Sequence, residues 1–239
     1  MSLLSFEEFT LQGKEIRERL KGLIQAAADI EPGLAKRLEE IDRWIKDLKP
    51  GELTAKRFVR VFLLQILVDG VTWLDIKAKT SEEQQTALQQ MLPTRRYWYG
   101  ELFPRWIEEN DPKFYIWRQK LMAGEFNQAD EKVIHSVAQA VSQQGGEFWH
   151  CYIADLSMAT DLIVSHLQQQ PLCTQLTSLS SEYSEQKYKK WKITLQSWRI
   201  DRGLFLSYNP GISGYTQRSA NLALYNSDTL PSGTYQQNS

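Results

Sequence analysis

Apolar residues recur every three or four positions along the first part of the chain, which is the spacing of one face of an α-helix. The chain breaks at Pro32-Gly33 and again at Pro50-Gly51, and Pro-Gly pairs commonly end helices. We therefore predict two amphipathic helices that pack against each other. Their apolar stripes are Phe9, Ile16, Leu20, Leu23 and Ala27, followed by Leu34, Leu38, Ile41, Trp44 and Leu48.

The stretch 58–68 is apolar on nearly every side and predicts a buried central helix. Asp69-Gly70 is a typical helix end, and two shorter helices are expected over 73–78 and 82–92. A dense aromatic region then leads into a helix that begins near Asp111-Pro112, because proline is favoured at the first helical position.

Two later segments fit both a helix and a strand. Over 147–169 the apolar residues lie on one helical face, although 148–154 alone also suits a strand. Over 182–202 the large apolar residues again follow helical spacing, although 191–195 alone alternates like a strand. We favour a helix for both segments, because the helical spacing covers the whole of each one.

These elements predict an all-α fold, an irregular bundle of about seven or eight helices. We assign residues 1–202 to one helical domain, with a weakly marked subdomain boundary near 145–146. After Gly203 the residues Ser, Asn, Gly, Thr and Gln dominate the composition. Residues 203–239 are therefore expected to form a polar, turn-rich C-terminal tail with room for a short extended segment.

The nearly equal numbers of basic and acidic residues exclude a positive electrostatic field over the whole protein. The 239 residues include 28 Lys and Arg against 29 Asp and Glu, so the chain as a whole does not attract nucleic acid or an anionic membrane. The longest apolar run is too short to cross a bilayer about 30 Å thick, and no signal peptide pattern opens the chain. The two cysteines, Cys151 and Cys173, are expected to be reduced thiols. We expect a cytoplasmic protein without membrane association.

The charges are nevertheless distributed unevenly. Residues 121–186 contain eight acids and one base, whereas 187–202 contain six bases and one acid. The basic stretch is interleaved with aromatic residues, a mixture that binds single-stranded nucleic acid by phosphate neutralisation and base stacking. The candidate nucleic-acid-binding residues are Lys187, Lys189, Lys190, Trp191, Lys192, Trp198, Arg199 and Arg202, with Arg95 and Arg96 as helpers. The alternative is that the aromatic residues face the core while the lysines face water or the acidic stretch.

Glu147 and His150 have the Glu-x-x-His spacing that places two metal ligands on one face of a helix. A di-iron centre needs two such motifs and further carboxylates, so a metal site at this pair is a weak candidate. The chain has no glycine-rich phosphate loop and no recognisable nucleophile motif. We therefore expect no cofactor and favour a protein without catalytic activity.

Three functional hypotheses follow from these patterns. The leading one is a non-catalytic helical protein-interaction module or subunit of a larger assembly, with a protein partner or self-association. Its basis is the presence of eight Trp and ten Tyr, more than one core is expected to hide. The first alternative is a nucleic-acid-binding accessory protein that uses the basic aromatic stretch. The second is an enzyme with a metal or carboxylate site near Glu147 and His150.

Overall fold

The chain forms two compact units in the computed structural model. One unit comprises Met1–Gln90 and Phe103–Phe126, and the other comprises Met91–Leu102 and Asn127–Ser239. We call them the helical unit and the α/β unit. The structure describes residues 13–46, 57–123, 128–178, 181–209 and 211–238.

Amphipathic helices build the helical unit. Its first helices are α1 (Gly13–Ile30), α2 (Pro32–Lys46), α3 (Arg57–Lys77) and α4 (Ser81–Gln89). The stripes predicted for α1 and α2 are confirmed, since Leu20 and Leu38 are buried where these two helices pack against each other. The predicted start of the first stripe at Phe9 and the break at Pro50-Gly51 lie outside the described residues.

Helix α3 does not end at Asp69-Gly70, as the sequence predicted, but continues to Lys77. A β-carbon at position 70 would lie only 2.6 Å from Cδ2 of Leu23 in α1. Gly70 therefore permits close packing of the two helices rather than ending α3. The short helix expected over 73–78 is the last part of α3, and the next one is α4, which Thr80 caps.

Aromatic side chains form much of the core of the helical unit. After α5 (Pro93–Tyr97) and a π-helix (Trp98–Leu102), which belong to the α/β unit, the chain returns with α6 (Phe103–Glu108) and α7 (Phe114–Ala123). The rings of Trp106 and Trp117 stack with centroids 5.8 Å apart. The Arg37 guanidinium lies 4.9 Å from the Phe114 ring centroid and donates to the Trp106 carbonyl.

A mixed sheet organises the α/β unit. Its further elements are α8 (Gln128–Gln143), β1 (Glu147–Trp149), α9 (Tyr152–Met158), β2 (Leu162–Ser165), β3 (Leu172–Thr177), α10 (Ser181–Ser197), β4 (Gly203–Ser207), α11 (Tyr215–Thr229) and β5 (Tyr235–Asn238). The strands pair in the order β1-β2-β3-β4-β5. The β1–β2 and β2–β3 pairs are antiparallel, whereas the β3–β4 and β4–β5 pairs are parallel.

Helices cover both faces of this sheet. Leu204 and Leu206 of β4 pack into a core with residues of α8 and α11, whereas Phe205 and Gly203 lie against Trp191 of α10. The connections through α10 and α11 both step to the next parallel strand in the same direction, yet the two helices lie on opposite faces. One of the two is therefore left-handed, the hand of only about 2% of such connections.

The prediction of an all-α fold is wrong, because the α/β unit contains this sheet. Segment 147–169, expected to be one helix, contains β1, α9 and β2. Every residue of β2 is buried, so the strand lacks the alternation that identifies strands in a sequence. The helix predicted over 182–202 is confirmed as α10, although it ends at Ser197 and residues 198–202 are not helical.

The short extended segment expected after Gly203 corresponds to β4, but the rest of 203–239 is not a polar tail, because it contains α11 and β5. Helix α11 is buried through small residues such as Ala220, Ala223 and Ser227, which do not stand out as an apolar stripe. None of the helices within the described residues is long and apolar enough to span a membrane.

Replacement of Gly70 by alanine tests the packing of α3 on α1. We expect Gly70→Ala to lower the free energy of unfolding by about 1–3 kcal/mol, because the added methyl group overlaps Leu23. Gly22→Ala on the exposed side of α1 is the matched control, since a β-carbon there meets nothing within 4 Å. It is expected to raise stability by about 0.5–1 kcal/mol. Denaturant unfolding measures both, and shifts of the same sign would contradict this account.

Candidate functional site

The carboxyl ends of the parallel strands β3, β4 and β5 lie at one edge of the sheet. In open sheets with helices on both faces, ligands commonly bind outside this edge. Polar side chains are concentrated there, on the face that α10 covers. We call them the carboxyl-edge cluster: Asp161, Gln175, Thr177, Ser184, Lys187, Ser207 and Gln237.

Asp161 belongs to this edge because β2 begins where its antiparallel neighbour β3 ends. Its Oδ2 accepts a hydrogen bond of 2.6 Å from the Leu176 backbone N–H. The same oxygen accepts a second bond of 2.6 Å from the Gln175 side-chain amide. The residue is only 4% exposed. Two N–H donors therefore hold a carboxylate in a fixed position at the edge.

Lys187 brings a positive charge to the same edge. Its Nζ donates a hydrogen bond of 2.8 Å to Oγ1 of Thr177, the last residue of β3. Thr177 is buried, whereas Lys187 is exposed. Because the hydroxyl is neutral, this bond positions the ammonium without neutralising it. An ammonium has three N–H donors, and this contact uses one.

The hydroxyl groups of the buried Ser184 and the half-buried Ser207 complete the carboxyl-edge cluster. Ser184 lies one helical turn before Lys187 and is 2% exposed. Its Oγ lies 2.9 Å from Oγ of Ser207, the last residue of β4, and accepts a bond of 2.7 Å from Gln237 of β5. The first turn of α10 is thus joined by polar contacts to the ends of β4 and β5.

The two tryptophans of α10 face the protein interior. Trp191 and Trp198 are each 3% exposed. Their indole N–H groups donate to the carbonyls of Ala159 and Ser157, at 3.0 Å each, near the end of α9. These rings fix α10 on the sheet and are not exposed for base stacking.

The lysines of α10 lie on other sides of the same helix. Lys189 forms an exposed ion pair of 2.7 Å with Glu185, and Lys190 is exposed. Nζ of Lys192 lies 5.5 Å from the Tyr235 ring centroid, on the side of α10 toward β5. Lys187 and Lys190 are three residues apart and are therefore neighbours on the helix surface.

The two arginines of the basic stretch lie beyond the end of α10. Arg199 is exposed, with a positive φ of 52°. Arg202 is 9% exposed and lies before β4, at the end of that strand opposite the carboxyl-edge cluster. Burial lowers the pKa of its guanidinium. It donates to the carbonyls of Pro171, Asn226, Ser227 and Leu230, and so holds the C-terminal end of α11.

Arg95 and Arg96 of α5 lie near β1, two strands away from β3. The Arg95 guanidinium lies 5.3 Å from the Trp149 ring centroid. Burial raises the pKa of Glu147, while a hydrogen bond from the Thr94 backbone and the charge of Arg96 act in the opposite direction. The structure therefore separates these arginines from the lysines of α10.

The structure does not bring Glu147 and His150 together as a pair of ligands. Glu147 begins strand β1, and side chains alternate between the two faces of a strand. Two residues three positions apart on an extended chain therefore point to opposite faces. Among the described residues, no group of three or more His, Cys, Asp or Glu side chains is arranged to hold a metal ion.

Several residues of the carboxyl-edge cluster were missed by sequence reasoning, among them Asp161, Thr177 and Ser207. Each lies directly before or at the end of a short apolar run that forms a strand. Their positions at strand ends would have made these residues candidates if the three apolar runs had been predicted as strands. The chain matches no known family model, no curated protein and no solved structure.

His150 provides a pH-dependent test of the α/β unit. Burial, aided by the nearby charge of His135, lowers its pKa from 6.5 to about 4. The neutral ring is therefore favoured in the folded state. The contribution of the neutral His150 ring to the free energy of unfolding is fully present above pH 6.5. It is lost as the pH falls toward 4, and the loss is at most about 3 kcal/mol.

We expect His150→Gln to flatten the fall in stability over this pH range, as measured by denaturant unfolding at several pH values. His135→Gln is the control, because His135 is exposed and its charge is the smaller cause of the shift. An unchanged profile in His150→Gln would show that another group is responsible.

Proposed function

We propose that the α/β unit binds the phosphodiester backbone of nucleic acid at its carboxyl-edge cluster. The observation that carries this proposal is the position of Lys187, whose ammonium is held by Thr177 at the end of β3. A fixed, exposed positive charge at the ligand-binding edge of an α/β sheet suits an anionic ligand.

The surroundings of Lys187 support the same ligand chemistry. Lys190 adds a second positive charge on the same side of α10, while the Gln237 side-chain amide, which uses one N–H on Ser184, brings a second N–H to the edge. Phosphate oxygens accept hydrogen bonds from ammonium, amide and hydroxyl groups alike. The N-terminal ends of α10 and α11 also follow the carboxyl ends of β3 and β4, and helix N-termini carry partial positive charge.

A polymeric anion accounts for the charge distribution better than a small one. The four lysines of α10 are spread over the solvent-facing part of the helix rather than around a single point: Lys187, Lys189, Lys190 and Lys192. Binding through such a surface adds the contributions of several phosphates and is weakened by salt. Nucleic acid is an abundant polymeric anion, and the lysines of the basic stretch agree with it, although its tryptophans are buried.

The protein-interaction hypothesis stays a prediction, and burial bears differently on the tryptophans and the tyrosines that suggested it. Seven of the eight tryptophans are at most 9% exposed: Trp73, Trp98, Trp106, Trp117, Trp149, Trp191 and Trp198. The cores of the two units therefore bury most of the tryptophan surface, whereas Tyr115 and Tyr225 are 68% and 66% exposed. Binding to a partner stays a prediction without a specific surface to support it.

The nucleic-acid proposal is tested by Lys187→Gln. We expect affinity for fluorescent single-stranded DNA at low salt to fall roughly tenfold, and the slope of log affinity against log salt to decrease by about one. Lys14→Gln in the helical unit is the matched control, since it removes the same charge from an exposed helix position. Fluorescence anisotropy measures both variants. Equal losses, or no binding by the unchanged protein at low salt, would contradict the proposal.

A second candidate function is hydrolysis of the bound phosphodiester, and Asp161 is the observation that favours it. A carboxylate at a phosphate-binding edge is repelled by the ligand unless a cation or a proton lies between them. Divalent cations such as Mg²⁺ are often held by one or two carboxylates together with phosphate oxygens and water. Asp161 would hold such a cation, which would activate a water molecule for attack on phosphorus and stabilise the developing charge. The bond to the leaving oxygen would break, and the proton of the water would pass to that oxygen through solvent.

Asp161→Asn tests hydrolysis, because it removes the charge while keeping a hydrogen-bond acceptor. We expect the unchanged protein to cleave labelled DNA or RNA in the presence of Mg²⁺ or Mn²⁺. The variant is expected to lose most of this activity. Asp228→Asn is the control, since this carboxylate contacts His166 and not the carboxyl-edge cluster. Absence of cleavage with either cation, or equal cleavage by all three proteins, would reject hydrolysis and leave the binding proposal standing.

A further inference from the structure

A pair of stacked tyrosines lies just beyond the carboxyl end of β4. Tyr208 follows the last residue of that strand, and its backbone N–H donates a bond of 2.9 Å to the Thr177 carbonyl. Thr177 is also the residue that holds Lys187. The tyrosine pair and the positioned ammonium therefore lie at the same edge of the sheet, with Lys187 on the face that α10 covers and Tyr208 on the face that packs against α8 and α11.

The ring of Tyr208 is anchored by the core, where it packs against the cluster that includes Leu204 and Leu206. Tyr215, the first residue of α11, stacks on it with ring centroids 5.1 Å apart and planes 16° from parallel. Both tyrosines are half-buried, so part of each side chain is accessible.

The turn that joins the two tyrosines holds them in this arrangement. Asn209 accepts a bond of 2.9 Å from the Gly211 N–H through its side chain, and one of 3.0 Å from the Ile212 N–H through its carbonyl. Gly214 then adopts a positive φ of 79°, which a glycine tolerates, immediately before Tyr215. These contacts, among described residues between Tyr208 and Tyr215, support the approach of the two rings.

An accessible aromatic ring that is already ordered favours stacking, because little conformational freedom is lost when a second planar group binds. Stacking of a nucleobase on an aromatic side chain contributes substantially to single-strand binding and tolerates any base. In a duplex the faces of the bases are covered by their neighbours, so this type of contact selects unpaired bases.

We infer that Tyr215, supported by Tyr208, is a nucleobase-stacking site that gives the α/β unit a preference for single-stranded nucleic acid. This inference rests on the proposed function, since the phosphate contact at Lys187 brings the strand to the edge. Lys187 contributes charge recognition and Tyr215 contributes base recognition. Neither tryptophan of α10 takes part, because both are buried.

The test compares two polymers of equal charge, a single-stranded DNA and an abasic oligomer of the same length. We expect Tyr215→Ala to weaken binding of the DNA roughly tenfold and to leave binding of the abasic oligomer unchanged. Tyr215→Trp retains an aromatic ring and is expected to keep DNA affinity. The matched control is Tyr225→Ala, which removes a 66% exposed tyrosine from the same helix.

The outcomes separate this inference from the proposal on which it rests. Equal affinities of Tyr215→Ala and the unchanged protein for DNA would overturn the stacking site, as would an equal loss on both polymers. In either case the proposed phosphate site would still stand if Lys187→Gln weakened binding of both polymers. If Lys187→Gln has no effect on either polymer, the proposed function itself fails. Thermal unfolding of Tyr215→Trp and Tyr215→Ala establishes that both variants are folded.

Discussion

Helix α10 packs directly on β4 because position 203 has no side chain. A β-carbon at Gly203 would lie 2.5 Å from Cδ2 of Leu195 and 2.7 Å from the ring of Trp191. This close approach lets the indoles of Trp191 and Trp198 reach the backbone at the end of α9. The position of α10 along the sheet follows from these contacts. That position in turn places Lys187 beside Thr177 and makes the carboxyl-edge cluster a single site.

Burial separates the residues of the basic aromatic stretch into two groups with different roles. The tryptophans face the sheet and Arg202 holds the end of α11, so these residues stabilise the fold. The lysines face outward, and one of them is fixed by a neutral partner. A charge fixed in this way keeps its attraction for an anion, whereas the charge of Lys189 is paired with that of Glu185.

The proposed nucleic-acid site combines two kinds of contact at one edge of the sheet. Phosphate recognition is electrostatic and independent of sequence, and it requires only a positioned ammonium and hydrogen-bond donors. Base recognition requires an accessible ring, which Tyr215 supplies and the tryptophans do not. A site that binds an anion by charge alone does not need the carboxylate of Asp161. This carboxylate is therefore the feature on which the proposal of hydrolysis, rather than binding alone, depends.

The sequence by itself determined helices α1, α2 and α10, because the spacing of apolar residues along a helix is a local property. It also identified the basic stretch, but not which of its residues were buried. The sheet escaped prediction because β2 is buried on both faces and α11 packs through small residues, so neither shows its pattern in the sequence. Only the tertiary structure brought Asp161, Thr177 and Lys187 together, because strand pairing and the packing of α10 on Gly203 join residues that are distant along the chain.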